Sequence, residues 1–486
     1  MRVALIKPRT NETRPLIQHV LRIIGGALPT LAAYTPKDVE LTVIDESIGD
    51  QIPFDRHFDL VGLSVMTPAA PRAYELARDF RRRGSRVVMG GSHITVRPDE
   101  ALVYADAVAL YFGEEVWPQI VADVRQGTLK PRYEGRLTLP ENRRTPDRSV
   151  LRPKQRFGLP LTVDSVATSV GCPYTCSFCM IPVMYGRQHS SYGNEAVIED
   201  IRSLPGRRIY FNDDNIMGDP RNAADLFQRL IRLQETEGRS FEWYTQTTIV
   251  LGYKPELAAP AAKAGCRGVY IGFESVDEES VRHDVRKGCN KVPRYAEAIA
   301  VLRNAGIKVE GGFVFGFDHD DESIFERTLR FVEEARLDSA NFHILTPYPG
   351  TAVYDQLKSQ GRIFDDGNWA RFYTGEVVFQ PARITPRQLQ AGYDLVCREA
   401  YGWRSILRRA RNSARPLENL IGNTIGRPRA THRFEGMREE RLRLYHELQP
   451  YGEEPQRETV ASYEPSNAQR ATPVLIPTSA LRRTVS

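Results

Sequence analysis

Three cysteines fall within eight positions, Cys172, Cys176 and Cys179, at the end of the run DSVATSVGCPYTCSFCM over residues 164–180. A C-x3-C-x2-C triad suits an iron–sulfur cube, because three thiolates hold three irons and leave the fourth open to an exchangeable ligand. A zinc finger or a closed structural cluster needs a fourth Cys or His. The nearest candidate, His189, stands ten residues after Cys179, outside ordinary finger spacing, so zinc is the lesser alternative. Cys266, Cys289 and Cys397 are isolated from one another, and the first 171 residues hold no cysteine. The six therefore form no disulfide framework.

Such a triad needs a rim to hold it. The apolar stretch before it reads as a strand, and later strand-like runs end in polar residues: RRIYFNDDN at 207–215, FEWYTQTT at 241–248, RGVYIGFES at 267–275, KVEGGFVFGFD at 308–318 and ANFHILTPYPGT at 340–351. Helical stretches separate them, such as DDESIFERTLRFVEEA, where Phe325, Leu329 and Val332 share a face. Counting the cysteine strand, six βα units make a partial (βα)6 barrel, and loops after barrel strands face the catalytic mouth.

The amino-terminal third carries its own alternation. Apolar, β-branched runs at 2–7, 40–45, 59–65, 86–91 and 106–112 read as buried parallel strands. Helices are expected over PAAPRAYELARDFRRRG, over EVWPQIVADVRQG, and from about Pro15 through Leu16, Ile17, Val20, Leu21 and Ile24 to Gly25. The result is a doubly wound α/β domain, with its ligand expected beyond the carboxyl ends of the strands. Three of those ends carry Ser64-Val65-Met66-Thr67, Gly90-Gly91-Ser92-His93 and Gly113-Glu114-Glu115. Glycines admit close approach of a bulky ligand and hydroxyls beside them bind polar groups; tight turns leaving a sheet are the competing reading.

At 486 residues, with 41% hydrophobic and 26% charged, the chain fits about three domains at roughly 150 residues each and excludes a collagen or wholesale disorder. It has no apolar run long enough to span a membrane, and MRVALIKPRT lacks the apolar core of a signal peptide, so a cytoplasmic location is expected. The net charge of +5 is local. From Trp403 to Pro450 there are 11 Arg and no Lys against 5 Glu and no Asp, which leaves the rest of the chain close to neutral. That stretch is either a solvated helical face or a contact for nucleic acid or an acidic partner, and no RNA-binding motif promotes the second. After Glu447 the composition turns to Pro, Ser, Thr, Glu and Gln, as in disordered tails.

The cysteine spacing, with Phe178 before the last cysteine, resembles the signature of the radical S-adenosylmethionine superfamily. That resemblance implies that the open iron chelates S-adenosylmethionine, that its reductive cleavage yields a 5′-deoxyadenosyl radical, and that Phe178 lies near the adenine. It further implies that Asp213 or Asp214 meets the methionyl amino group, that Glu274 with Ser275 contacts ribose or carboxylate, and that the Gly312-x-Val314-x-Gly316 strand borders the adenine. The chemistry agrees, since a cationic sulfonium with an ammonium calls for carboxylates and a planar base for bare backbone. Solvated loop carboxylates remain the alternative for Asp213 and Asp214.

Residues 1–135 or so resemble the cobalamin-binding domain at the front of many radical S-adenosylmethionine enzymes. Ser64, Thr67, Gly90, Gly91 and Ser92 look like the wall for the cobalamin tail, with His93, Gly113 and Glu114 in the matching segments. KPRTNET after the first strand lacks the family's D-x-H-x-x-G segment, so no histidine is expected below the cobalt, and His93 reads as a turn residue or tail contact. From Asp366 to about Arg411 the chain resembles the carboxyl-terminal extension of hopanoid C-2 methylase-like proteins. The expected division is a Rossmann-like cobalamin domain at 1–138, a linker at 139–163, the barrel at 164–352, a mainly helical extension at 353–447 and a tail at 448–486.

The implied activity is methyl transfer from methylcobalamin to an unactivated carbon of a lipid or specialised metabolite after hydrogen abstraction. A flavodoxin or ferredoxin would supply electrons. A cobalamin-dependent cyclase or oxidoreductase, and a noncatalytic cobalamin- or nucleic-acid-binding protein, stand as alternatives. A methylthiotransferase would need cysteines before Cys172, and a SPASM-type modifier would need clustered ones after Cys179; neither pattern is present.

Overall fold

The β-branched runs become strands because they are buried on both faces. The computed structural model describes residues 1–432 apart from 11–20, 137–138, 140–142 and 152–160. Strand β1 is Arg2–Lys7, β2 Leu21–Ile24, β3 Glu40–Asp45, β4 Leu60–Ser64, β5 Arg86–Gly90, β6 Ala107–Leu110 and β7 Arg132–Glu134. All but β2 form one parallel sheet in the order β3-β1-β4-β5-β6-β7. Period-2 alternation sends Ala4, Ile6, Val61, Leu63, Val87 and Met89 to one face, where Ala73, Leu76, Ala77 and Phe80 of the helix Ala70–Arg82 cover them. Val3, Leu5, Leu60, Val88 and Ala107 face the other way, under Leu28 and Trp117, Ile120 and Val121 of the helices Ala27–Tyr34 and Gly113–Gln126. The doubly wound reading holds, and β7 is an edge strand the sequence did not announce.

The second sheet has strands β8 (Leu161–Val166), β11 (Arg208–Phe211), β12 (Glu242–Thr247), β13 (Cys266–Glu274), β14 (Lys308–Phe315) and β15 (Ser339–Ile344). Its order is β15-β14-β13-β12-β11-β8-β2, again all parallel. The six expected barrel strands are present, with a seventh from the amino-terminal third. Leu21–Ile24 was expected to end a helix; instead it is a strand paired with Leu161–Asp164. An edge of the partial barrel needs a hydrogen-bonding partner, and that demand outweighs helical spacing in a four-residue segment. The rest of that expected helix, Leu16–Val20, lies outside the described residues. Residues 161–163, expected in the linker, begin β8. The tail at 448–486 also lies outside the described residues.

A short antiparallel pair, β9 (Ser169–Gly171) with β10 (His189–Ser191), brackets the cysteine loop. The carboxyl-terminal extension packs onto the first sheet: Tyr354, Trp369, Phe372 and Val378 join its hydrophobic core. Helices Pro386–Ala400, Trp403–Asn412 and Pro416–His432 complete the described chain, giving the expected helical extension. No described helix is long and apolar enough to cross a membrane.

Candidate functional site

The cysteine loop begins at Gly171, whose φ is +81° and whose Cβ, if present, would lie 2.1 Å from the Gln188 carbonyl oxygen. Only glycine lets the chain turn there from β9 into Cys172. His189, the candidate fourth zinc ligand, is engaged otherwise: its Nε2 lies 3.1 Å from Ser169 Oγ, clamping the base of the loop.

The thiols share one neighbourhood. Burial raises the pKa of Cys172, Cys176 and Cys179, the last to about 11, and the charges of the other thiols raise those of Cys176 and Cys179 further. Three adjacent half-buried thiolates are costly alone, and iron would supply the compensating charge. The structure also supplies donors to sulfur: Asn215 Nδ2 lies 3.6 Å from Cys172 Sγ, and the Ile181 amide 3.4 Å from Cys179 Sγ. Such hydrogen bonds suit a cluster ligand set, so the residues fit a cube held at three corners.

Of the two adjacent aspartates after β11, the structure separates the roles. Asp213 is buried and saturated, accepting from the Thr168 amide at 3.2 Å, the Thr168 hydroxyl at 2.6 Å and the Ser169 hydroxyl. It braces the strand that feeds the cysteine loop. Asp214 lines the open cavity while accepting from the Gly171 amide at 2.8 Å. Burial raises its pKa, and the adjacent Asp213 carboxylate adds to the rise.

Glu274 ends β13 with φ +66° and pairs with Lys287 at 2.8 Å, the two side chains being 12% and 8% exposed. Lys287 Nζ also donates to the Gly272 carbonyl at 2.6 Å. Burial works against its ammonium, but the Glu274 carboxylate and the Cys176 thiol more than offset it, and the Lys287 pKa rises. Sequence reasoning found Glu274 but missed Lys287 and Asn215. The polar quartet Asn212-Asp213-Asp214-Asn215 was a signal for Asn215; nothing local signalled Lys287. Ser275 is buried, and its hydroxyl caps the next loop by accepting from the Asp277 amide at 3.1 Å.

Phe178 sits 5.9 Å, centroid to centroid, from Phe317 beside the cluster loop. A Cβ on Gly312 would lie 2.2 Å from the Tyr270 hydroxyl inside the barrel, whereas one on Gly316 would lie 2.8 Å from Leu389 of the extension. Gly312 thus faces the barrel interior and Gly316 makes room for a packing helix. Deeper in the barrel a second cavity of about 420 Å³ is lined by Tyr210, Tyr244, Tyr270, Glu310, Asn341 and His343 and closed by Tyr393, Tyr401 and Asn423 of the extension.

A cavity of about 500 Å³ joins the two sheets. One wall is made by Ser64, Gly90, Gly91, Ser92, Gly113 and Glu114 at the strand ends of the first sheet. The other is made by Ser169, Val170, Met180, Met184, Tyr185 and Asp214 at the barrel rim. Gly91 has φ +105°, and a Cβ there would meet the Val65 carbonyl at 2.6 Å, so its wall is bare backbone by necessity. A Cβ on Gly113 would meet nothing within 4 Å, leaving the start of its helix open to the cavity. Burial raises the pKa of Glu114, a carboxyl turned into this space. Glycine wall, small hydroxyls and a buried acceptor fit a large neutral ligand fringed with amides, as cobalamin is.

Thr67 and His93 are not on that wall. Both are buried, His93 Nδ1 lying 3.3 Å from Thr67 Oγ1 and Nε2 3.2 Å from the Tyr74 hydroxyl. Tyr74 donates to Glu100 at 2.9 Å, and Trp369 Nε1 donates to the same carboxylate at 2.7 Å. His93 therefore ties the first domain to the extension. Both of its ring nitrogens are engaged within the fold. Part of the KPRTNET segment, residues 11–13, lies outside the described residues.

Residues 166–332 match the radical SAM superfamily model. The chain is 29% identical over 413 residues to bacteriochlorophyllide d C-12(1)-methyltransferase of Chlorobaculum tepidum, covering 83% of this chain and 88% of that protein. It is 25% identical over 388 residues to hopanoid C-2 methylase of Rhodopseudomonas palustris, covering 76% and 72%. The structure of the cobalamin-dependent S-adenosylmethionine radical enzyme OxsB, with aqua-cobalamin and S-adenosylmethionine bound, superposes with a TM-score of 0.63 at 16% identity, covering 92% of this chain and 75% of that one. Residues 166–332 thus form a radical SAM domain, and the chain shares the fold of the solved cobalamin-dependent radical SAM enzyme OxsB.

Proposed function

We propose that this chain is a cobalamin-dependent radical methyltransferase that adds a methyl group to an unactivated carbon of a hydrophobic small molecule. When bound, the cluster with S-adenosylmethionine supplies a hydrogen-abstracting radical and cobalamin supplies the methyl group. The observation that carries this reading is the single cavity shared by the strand ends of the first sheet and the rim that bears Asp214.

The chain's own contribution is positional. Cys172, Cys176 and Cys179 hold the cluster, with Asn215 donating toward Cys172. Asp214 offers a carboxylate to the methionyl ammonium, and Phe178 a flat apolar surface to the adenine. The Lys287–Glu274 pair sets the charge beside Cys176. Ser64, Gly90, Gly91, Ser92, Gly113 and Glu114 receive the corrin and its tail. Met180, Ile181, Met184 and Tyr185 give the intervening space an apolar wall, which keeps water from a reactive carbon radical. The substrate class is supported by the relatives named for bacteriochlorophyllide and hopanoid, both hydrophobic molecules. A flavodoxin or ferredoxin is the proposed electron donor.

Anaerobically reconstituted enzyme, given S-adenosylmethionine with a deuterated methyl group and a metabolite extract from cells lacking the gene, should yield a product carrying the labelled methyl. Formation of 5′-deoxyadenosine with an unlabelled product would support the second reading, ring closure without methyl transfer. That reading is favoured by a relative named anaerobic magnesium-protoporphyrin IX monomethyl ester cyclase, 25% identical over 51% of this chain. Absence of 5′-deoxyadenosine altogether would leave a noncatalytic binding protein.

A further inference from the structure

The last two described helices are built inside out. In Pro416–His432 the residues turned toward the body are polar: Asn419 and Asn423 are buried, and both donate to the Asp338 carbonyl, at 2.8 Å and 3.0 Å. The residues turned away are Leu417, Ile421 and Ile425, at i, i+4 and i+8 on the opposite face. The preceding helix, Trp403–Asn412, does the same in part. It buries Ile406, Arg409 and Ala410 and turns Trp403 and Leu407 outward.

The two helices run antiparallel, joined by Ser413–Arg415, with Arg427 near the end of one lying 5.3 Å from the Trp403 ring at the start of the other. Arg409 reaches across between them to Asn423 at 3.0 Å. The five outward apolar side chains are 41% to 69% exposed, and they are five of the nine large hydrophobics exposed among the described residues. Scattered exposed leucines need no explanation, but five large apolar side chains gathered on the outer faces of one hairpin do. Burial of such a stripe against something is the ordinary outcome.

The charge around the stripe selects among occupants. Arg404 and Arg411 are exposed beside it, and Arg427 and Arg408 stand at its borders, the latter paired with Glu333. A second copy of this chain docked face to face would bring the same arginines together at a two-fold interface, which like charges disfavour. An anionic lipid surface offers the complement to both features: headgroup phosphates for the guanidinium groups and acyl chains for Leu417, Ile421, Ile425 and Leu407. A Trp at the edge of the stripe suits the boundary between headgroups and hydrocarbon.

We propose that the hairpin Trp403–His432 is a peripheral membrane-docking surface that lies in the headgroup layer of an anionic bilayer, with its apolar stripe inserted. The proposal does not depend on the reaction the enzyme performs.

The test is co-sedimentation of the full-length, folded protein with vesicles of phosphatidylcholine alone or phosphatidylcholine mixed with phosphatidylglycerol. The expected result is binding to the mixed vesicles only, weakened by salt. The doublet Leu417→Ser with Ile421→Ser, and separately Arg404→Glu with Arg411→Glu, should each lower partitioning about tenfold or more, since two buried aliphatic side chains or two reversed charges carry at least that much. Both doublets should keep the wild-type melting temperature and 5′-deoxyadenosine formation, because the residues touch neither core nor cavity. Failure of the wild-type protein to bind the mixed vesicles overturns the proposal. So does equal binding of the Ser doublet, or a concentration-dependent dimer that the Ser doublet dissociates, which would make the stripe a self-association face. Retention on nucleic acid in place of vesicles would overturn it in favour of the other polyanion.

Discussion

The two strand-end rims that face the shared cavity are built from opposite materials. The barrel rim puts Asp214 on the cavity, with the three thiols and the Lys287–Glu274 pair crowded behind that lining. The rim of the first sheet offers glycine backbone and small hydroxyls, with Glu114 its one lining carboxyl among the described residues. Under the proposed function, the difference follows from what each would hold. A small, charged reagent is fixed by charge and donor geometry, and a large neutral macrocycle by the removal of side chains. The same contrast separates residues that look alike in sequence: Asp213 from Asp214, and Ser92 from Thr67 and His93. In each case one member reaches the cavity and the other is spent on scaffolding.

Substitutions should break this contrast in order of size. Cys176→Ala removes one corner of the ligand set, and the reconstituted protein should lose the cluster's visible absorbance and 5′-deoxyadenosine formation while still binding cobalamin at the other rim. Loss of cobalamin together with iron would show that the rims are not independent. Lys287→Met leaves Glu274 as a buried, unpaired carboxylate and should destabilise the fold by about 3–5 kcal/mol in chemical denaturation. Adding Glu274→Gln should restore most of that stability but not turnover. If the single variant melts like wild type, the pair is less buried than the structure has it.

Smaller effects test the bare rim. Gly91→Ala drives a Cβ into the Val65 carbonyl and forces a residue with a side chain to positive φ, at a cost of about 1–3 kcal/mol, and should weaken cobalamin binding. Gly113→Ala, whose Cβ points into open space, should keep stability and alter only cobalamin affinity. His93→Phe should cost about 1–3 kcal/mol through the lost partners of Thr67 and Tyr74 and leave cobalamin affinity within about twofold, well under the 1.4 kcal/mol of a tenfold change. A large affinity loss with unchanged stability would return His93 to the site.

Asp320 adds a pH signature. It is fully buried, and burial, opposed by bonds from Gly316, Ser280 and Phe317, pushes its pKa up to about 7. Because the folded-state value lies above the ordinary carboxyl value, its stabilising contribution is fully present below about pH 4 and is lost as pH rises through about 7. Wild-type stability should therefore fall from pH 5 to 7.5 relative to Asp320→Asn, by an amount that parallel melts would resolve.

Much of this was legible in the sequence because it depends on local pattern. Runs such as RVALIK and RVVMGG are β-branched and uninterrupted, and they became β1 and β5. The cysteine triad and its glycine are contiguous. What was not legible depends on partners distant in the chain. Leu21–Ile24 is a strand because β8 offers an edge about 140 residues later. Lys287 matters only because the chain returns it to Glu274. Whether Asp213 or Asp214 faces the cavity turns on hydrogen bonds from Thr168 and Ser169 across neighbouring strands. Thr67 and His93 carried the right residue types at the right strand ends, but Tyr74, Glu100 and Trp369 claim them.

The proposed function requires one cavity to bring both cofactors within reach of each other. Electron paramagnetic resonance on the anaerobically reconstituted protein, with cobalt as cob(II)alamin and the cluster reduced, tests it directly. Two spins per chain are expected, with a resolved dipolar coupling that disappears in Cys176→Ala. Two fully loaded but uncoupled signals, or a chain that takes up iron and never corrin, would contradict it.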